Sequence, residues 1–232
     1  HNPESISRHP QVQWIETRCI VCGSCLDICP NTALSERADG SINIDRLLCK
    51  GCGTCVQVCP TNALDVLGME THLDDLFTEL LKDRAYFETS NGGVTASGGE
   101  PTLQASFVGS LFKKLQSTGI HTALDTCGAC QFQSLEQILP YTNLILYDLK
   151  LWEDDVHLHT TGQGNQRIIR NLISIGNLIR ENKIHSNLWI RTPLIPNMTT
   201  SEENLVKIGT FLHETLGDLV ERWELCAFNN LC

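Results

Sequence analysis

Beyond residue 70, apolar positions recur at helical spacing. Leu73, Leu76, Phe77, Leu80 and Leu81 share one helix face, as do Leu103, Phe107, Leu111, Phe112 and Leu115, with Gly119 placed as a C-terminal stop. The same pattern predicts helices at 165–182, where Leu172, Ile173, Ile175 and Leu178 form a core stripe, and at 201–216, opened by Thr200 and Glu203 in capping-box spacing. Between the helices stand short apolar runs, Val94–Ser97, His121–Asp125, Leu144–Leu149, Leu188–Thr192 and Trp223–Phe228, each followed by a turn or helix. Such alternation predicts an α/β fold with a parallel sheet, open or rolled into a barrel. In both, ligands gather at the carboxyl ends of the strands.

The first 67 residues follow a different rule. CIVCGSCLDICPNTAL (19–34) and CKGCGTCVQVCPTNAL (49–64) repeat at an offset of thirty, joined by an Asp39-Gly40 turn and a short alternating strand at 41–44. Eight of the twelve cysteines lie in this repeat. Each half reads CxxCxxCxxxCP, a spacing in which three thiolates grip one [4Fe–4S] cluster while the fourth crosses to the other. One set is then Cys19, Cys22, Cys25 and Cys59, and the second is Cys49, Cys52, Cys55 and Cys29. Gly23, Gly51 and Gly53 let the backbone turn tightly, and Pro30 and Pro60 end each turn. A disulfide framework would need an export signal and zinc knuckles would draw on histidine; neither is found in this stretch.

At 232 residues the chain has room for one sizeable domain and a small one. Boundaries are expected at 1–18 (start of the larger domain), 19–67 (cysteine module) and 68–232 (remainder of the larger domain). An apolar fraction of 41% is that of a soluble globular chain, and no apolar run is long enough to span a bilayer. A formal charge of −10 repels phosphate backbones and anionic lipid, arguing against nucleic acid or membrane as partner. It also disfavours the reduced form of a cluster, which suits delivery of strongly reducing electrons. With no initiator methionine and no apolar leader, the chain is expected to be an internal piece of a longer cytoplasmic protein.

GGVTASGGEPTLQ sets Gly98, Gly99 and Glu100 directly after a strand, with Pro101 as first helical residue. Glycines let backbone approach a small ligand, and a carboxylate accepts from an ammonium group. Taken alone, this tripeptide also fits a plain strand-to-helix turn. The order HNPES, two-cluster insert, GVTASGGEPTLQ, GIHTALDTCG, LILYDLK, TGxxNxxIxxNL and WIRTPLIPNMT resembles the glycyl-radical-enzyme activating enzymes of the radical S-adenosylmethionine superfamily, over essentially the whole chain.

That resemblance implies a partial (β/α)6 TIM-like barrel with an inserted ferredoxin-like α+β module. It implies reductive cleavage of S-adenosylmethionine to a 5′-deoxyadenosyl radical, which takes a hydrogen atom from a glycine of a partner glycyl radical enzyme. Carried over by motif, Gly98, Gly99 and Glu100 would hold the cofactor's amino group, and Asp148, Leu149 and Lys150 would contact its polar groups. Arg191 would anchor it further, His1 would stand near the adenine and Asn229 would replace a histidine found in many relatives. Asp125, Thr126, Asp148 and the Leu146 carbonyl resemble a monovalent-cation site. A third [4Fe–4S] cluster belongs to a CxxxCxxC triad expected just before HNPES, so this piece by itself is expected to be inactive. Flavodoxin or ferredoxin would supply electrons.

Two other readings stand beside this one: a two-cluster electron-transfer subunit, and a radical enzyme acting on a small molecule. Cys127 and Cys130, with Cys226 and Cys232, have partial metal-ligand spacing but read first as buried thiols. His157 and His159 read as solvated surface beside Glu153, Asp154 and Asp155.

Overall fold

The computed structural model describes residues 9–227, and the chain divides between Thr71 and His72 into two compact units. In the first, β1 (Gln11–Trp14) pairs antiparallel with β4 (Leu64–Leu67), and β2 (Leu34–Glu36) with β3 (Ile42–Ile44). Helix α1 (Ser24–Ile28) precedes β2, and α2 (Thr54–Gln57) precedes β4. Residues 11–14 thus pair within the cysteine unit, ahead of the boundary expected at residue 19, because Leu64–Leu67 offers them a strand edge. Val12, Cys25, Leu34, Ile42, Cys55 and Leu64 form the core.

The thirty-residue repeat reappears in the backbone. Gly23 and Gly53 cap α1 and α2 at φ 75° and 73°, Thr32 and Asn62 turn at 48° and 52°, and Val21 and Gly51 at 54° and 66°. A β-branched residue in this left-handed region is strained by roughly 1–2 kcal/mol. The two halves differ in why they turn there. A Cβ at Gly51 would stand 1.8 Å from the Pro10 carbonyl oxygen, so that position admits only glycine.

In the second unit, α3 (Leu73–Leu81) and α4 (Arg84–Ser90) lead into β5 (Gly93–Ala96). There follow α5 (Ala105–Ser117), β6 (His121–Thr126), α6 (Phe132–Ile138), β7 (Leu144–Asp148), α7 (Asp154–Thr161), α8 (Gln166–Arg180), β8 (Asn187–Leu194), α9 (Glu202–Phe211) and β9 (Val220–Ala227). The five strands are parallel and lie side by side in chain order. Right-handed crossovers without a reversal of order put all helices on one face. That face carries Leu124, Ile145, Tyr147, Leu149, Leu188 and Ile190, all buried against Phe112, Leu135, Leu172, Ile175 and Ile208. Strand alternation turns Asp125, Leu146, Asp148, Trp189, Arg191 and Glu224 to the other face, where they are half-buried.

Several expectations shift. The last helix is capped by Ser201, whose oxygen accepts from the Asn204 amide at 3.2 Å, because the chain stays extended through Ser201. Thr200 and Glu203 therefore make no capping box. Regular α-helix ends at Phe211 and continues as a π turn over Leu212–Leu216. Leu103 lies in a 3-10 turn, Pro101–Gln104, ahead of α5. The final strand begins at Val220, and Phe228 falls outside the described residues. Among the described residues no helix is long and apolar enough to cross a membrane.

Gly51→Ala is expected to destabilise the cysteine unit by more than about 2 kcal/mol, since the clash is with backbone. Val21→Gly, which trades strain for chain entropy, is expected to stay within about 1 kcal/mol. Amide hydrogen exchange in β1 and β4 reads both; equal protection loss would contradict the asymmetry.

Candidate functional site

Two groups of chemistry-bearing residues emerge, one in each unit. In the larger, the carboxyl ends of β5, β6, β7 and β8 bring the GGE, DTCG and DLK motifs and Arg191 to one edge of the sheet. Gly98 sits at φ 113°, which excludes other residues, and a Cβ there would meet nothing within 4 Å. Gly99 is buried. Glu100 caps the 3-10 turn: one oxygen accepts from the Thr102 amide (3.1 Å), the Thr102 hydroxyl (2.7 Å) and the Thr126 hydroxyl (2.7 Å). Its other oxygen accepts from the Cys127 amide (3.1 Å) and thiol (3.3 Å). Glu100 therefore ties the end of β5 to the end of β6. Burial, then the Glu100 charge, push the Cys127 thiol up to about 12.

On the open face a row of opposite charges crosses four strands. Asp125 accepts from the Ser97 hydroxyl (2.8 Å) and pairs with Arg191 Nη1 (3.0 Å), reaching over β7. Arg191 Nε lies 4.0 Å from Glu224, and Lys150 Nζ lies 3.3 Å from Asp148. Burial raises the Asp148 pKa; Lys150 opposes this and the nearby Asp125 charge adds to it. Burial lowers that of Arg191, but Cys226, Asp125 and Asp148 outweigh it. Such a row, partly shielded from water, complements a small zwitterion that carries both ammonium and carboxylate. Thr126 points to the opposite face, its hydroxyl donating to Glu100 and accepting from the Gly128 amide at 3.0 Å. Of the residues likened to a cation site, Asp125, Leu146 and Asp148 share a face and Thr126 does not.

Three buried asparagines fix the loops around this edge: Asn165 and Asn171, the two asparagines of the TGxxNxxIxxNL motif, and Asn204, which was not singled out from the sequence. Asn171 donates to the carbonyls of Gly128 and Cys130 (2.8 and 2.9 Å), and Asn165 to those of Leu151 and Trp152 (2.9 and 2.6 Å). Asn204 donates to the Lys150 and Thr199 carbonyls and accepts from the Trp152 amide. His157 is buried, not solvated: its Nδ1 meets the Gln163 carbonyl at 2.6 Å across the Gly162 turn that ends α7. His159 is exposed. His1, Asn229 and Cys232 lie outside the described residues.

In the cysteine unit, two small cavities are each bordered by four thiols. Cys19, Cys22, Cys25 and Cys59 line the first with Trp14, Ile42 and Leu64; Cys29, Cys49, Cys52 and Cys55 line the second with Val12, Ala33 and Leu34. Cys29 and Cys59 accept the amides of Ala33 and Ala63 at 3.3 and 3.2 Å, and Cys52 lies 3.3 Å from the Thr54 hydroxyl. Burial raises the Cys25 thiol, and that of Cys55 to about 11. The Ser24 amide and hydroxyl lower Cys22, and the Thr54 hydroxyl and amide lower Cys52. Among the described residues no three His, Cys, Asp or Glu are grouped to hold a single metal ion. Four thiols around a space, with amides aimed at sulfur, fit a polynuclear iron–sulfur group better than one zinc ion.

Residues 6–64 match the family model described as a 4Fe-4S dicluster domain. The chain is 34% identical to the (2S)-3-sulfopropanediol dehydratase activating enzyme of Klebsiella oxytoca, over 99% of this chain and 72% of that protein. It is 38% identical to the trans-4-hydroxy-L-proline dehydratase activating enzyme of Clostridioides difficile, over 88% and 66%, so it spans about two thirds of that relative. A crystallised domain of pyruvate-formate lyase-activating enzyme from Bacteroides vulgatus ATCC 8482 aligns with a TM-score of 0.53 at 29% identity, covering 60% of this chain and 82% of that one. Streptococcus suis SuiB bound to S-adenosylmethionine shares the fold, with a TM-score of 0.54 at 16% identity over 69% of this chain and 34% of that one.

At pH 8, iodoacetamide is expected to leave Cys127 unmodified in folded protein, as peptide mass spectrometry can read. The raised pKa stabilises the fold below the unfolded thiol value near 9, and this contribution is lost as pH climbs toward 12. Asn171→Ala strands two buried carbonyls and is expected to cost about 2–3 kcal/mol in chemical denaturation.

Proposed function

Because the chain belongs to the glycyl-radical-enzyme activating enzymes, we propose that it performs their reaction. With an iron–sulfur cluster and S-adenosylmethionine bound, one electron cleaves the sulfonium to methionine and a 5′-deoxyadenosyl radical, which removes a hydrogen atom from a glycine of a partner enzyme. The observation that carries this is the alignment of 99% of the chain with one such activating enzyme. A pure electron carrier would leave the charged strand-end row without a role.

The chain's own residues would hold the cofactor's zwitterionic end at the open edge of the sheet. Gly98 and Gly99 let backbone approach, and Glu100 and Asp148 would take the ammonium group. Glu100 would do so while its oxygens also hold Thr102, Thr126 and Cys127. Lys150 and Arg191 would meet the carboxylate side, while the Leu149 amide is held by the Arg191 carbonyl at 2.9 Å. A monovalent cation beside Asp125, Asp148 and the Leu146 carbonyl would offset two neighbouring carboxylates, without the Thr126 hydroxyl. Among the described residues, five parallel strands in chain order with helices on one face support a partial β/α barrel. The cysteine unit would be its inserted module.

In that module Cys19, Cys22, Cys25 and Cys59 would hold one [4Fe–4S] cluster and Cys29, Cys49, Cys52 and Cys55 another. The cavity linings support this crossed assignment. A third cluster, a flavodoxin or ferredoxin donor and a reducing cytoplasmic setting complete the reading.

Anaerobic reconstitution is expected to give about eight irons from the two thiol sets. Cys22→Ala and Cys59→Ala should each remove about four, and the pair no more, whereas Cys22→Ala with Cys29→Ala should remove all eight. Additive loss from Cys22 and Cys59 would refute the crossing. For the reaction, protein made from the intact gene, reduced with S-adenosylmethionine and the co-encoded glycyl radical enzyme, should yield 5′-deoxyadenosine and a glycine-centred EPR signal. Intact S-adenosylmethionine under those conditions would sink the proposal.

A further inference from the structure

The two halves of the cysteine unit repeat in backbone, and each exposes apolar residues beside its first cysteine, Ile20 (63%) and Val21 (50%) in one and Leu47 and Leu48 in the other; they differ in charge. Around the first thiol set the chain runs Glu16-Thr17-Arg18-Cys19-Ile20-Val21, with Ile20 and Val21 bordering the cavity. Thirty residues on it runs Arg46-Leu47-Leu48-Cys49-Lys50-Gly51. Leu47 is 88% exposed and Leu48 45%, adjacent to a cysteine of the second set. A groove here is lined by His9, Pro10, Gln11, Arg46, Leu47, Cys49 and Lys50, so Cys49 borders both this groove and the second thiol cavity. Anything seated in the groove is one sulfur away from whatever those four thiols hold.

The charges select the occupant. In a chain of net charge −10, Arg46 and Lys50 form a cationic spot and neither makes an ion pair among the described residues. The Arg46 guanidinium donates to the Val12 carbonyl at 2.6 Å, which leaves its charge uncancelled. Asp45, the nearest acid in sequence, turns its carboxylate to the amides of Leu47 and Leu48 (2.8 and 3.3 Å). The first half carries Glu16 beside Arg18 and so offers no such net charge.

We propose that the Arg46–Lys50 edge is where an acidic one-electron carrier protein docks to reduce the cluster of Cys29, Cys49, Cys52 and Cys55. The proposal rests on the cluster assignment above. One electron leaves the reduced carrier and enters the cluster. No bond forms or breaks, and the carrier is oxidised by the one electron the cluster gains. Exposed leucines supply the dry contact and the two cations steer an acidic partner.

The test uses the reconstituted full chain and an acidic flavodoxin. Stopped-flow bleaching of the clusters gives the electron-transfer rate, and calorimetry gives binding. Lys50→Glu and Leu47→Ser are both surface changes; each is expected to slow reduction and weaken binding about five- to tenfold at low ionic strength. The Lys50→Glu effect should fade by about 0.5 M salt, where charges are screened within a few ångströms, and the Leu47→Ser effect should persist. Arg18→Glu, at the matching place in the other half, should change neither. Iron content should match wild type in all three, and each variant's bleaching by the carrier is compared with its own bleaching by dithionite, so that a changed cluster potential is separated from changed docking. Wild-type protein without iron overturns the cluster assignment and the docking edge with it. Iron-loaded variants that bind and accept electrons like wild type overturn the docking edge alone, as does self-association of the chain that the same two substitutions abolish.

Discussion

Right-handed crossover is the constraint from which the larger unit follows. Five parallel strands in chain order leave each connecting helix only one side of the sheet to pack against, so one face becomes core and the other stays open. Tyr147 and Ile190 are fully buried while their strand neighbours Asp148 and Arg191 keep access to water. An enzyme that must keep charged groups poised in a cleft gains that division without any special device. Polar residues at odd positions of each strand cost nothing to the core, and the strand ends align them in a row.

What keeps the row in register is a set of buried amides. Asn165, Asn171 and Asn204 come from the helices on the packed side and reach the carbonyls of loops that follow β6, β7 and β8. Each loop would otherwise bury unpaired backbone groups, at roughly 1–3 kcal/mol apiece. Glu100 does the same work for β5 and β6 by accepting from Thr126 and Cys127. Glu100, the carboxylate of the GGE motif, is therefore a structural tie whose geometry is fixed by the fold.

The cysteine unit shows the opposite economy, in which a duplicated backbone carries unequal surfaces. Glycine caps, left-handed turns and amide-to-sulfur bonds recur at an offset of thirty, yet Ile20 and Val21 border one cavity and Lys50 the other. Shared geometry sets the ligand spacing, and the unshared residues decide how each site meets solvent and partner.

Much of this was readable from residue order. The cysteine spacing, the apolar strands and the helix stripes are short-range patterns, and periodicities of 2 and 3.6 follow from backbone geometry alone. The motif order also pointed to the family and to Glu100, Asp148, Lys150 and Arg191. Other features required the folded chain, because they join residues far apart in sequence. Asp125 finds Arg191 across 66 positions, β1 is drawn to Leu64–Leu67, and His157 turns inward to a carbonyl that exists only once Gly162 has reversed the chain. Thr126 was grouped with Asp125 through the family resemblance, and strand alternation put the two side chains on opposite faces. Local pattern sets which way a side chain faces on its own element; what it meets there depends on the closure of loops, which no local pattern encodes.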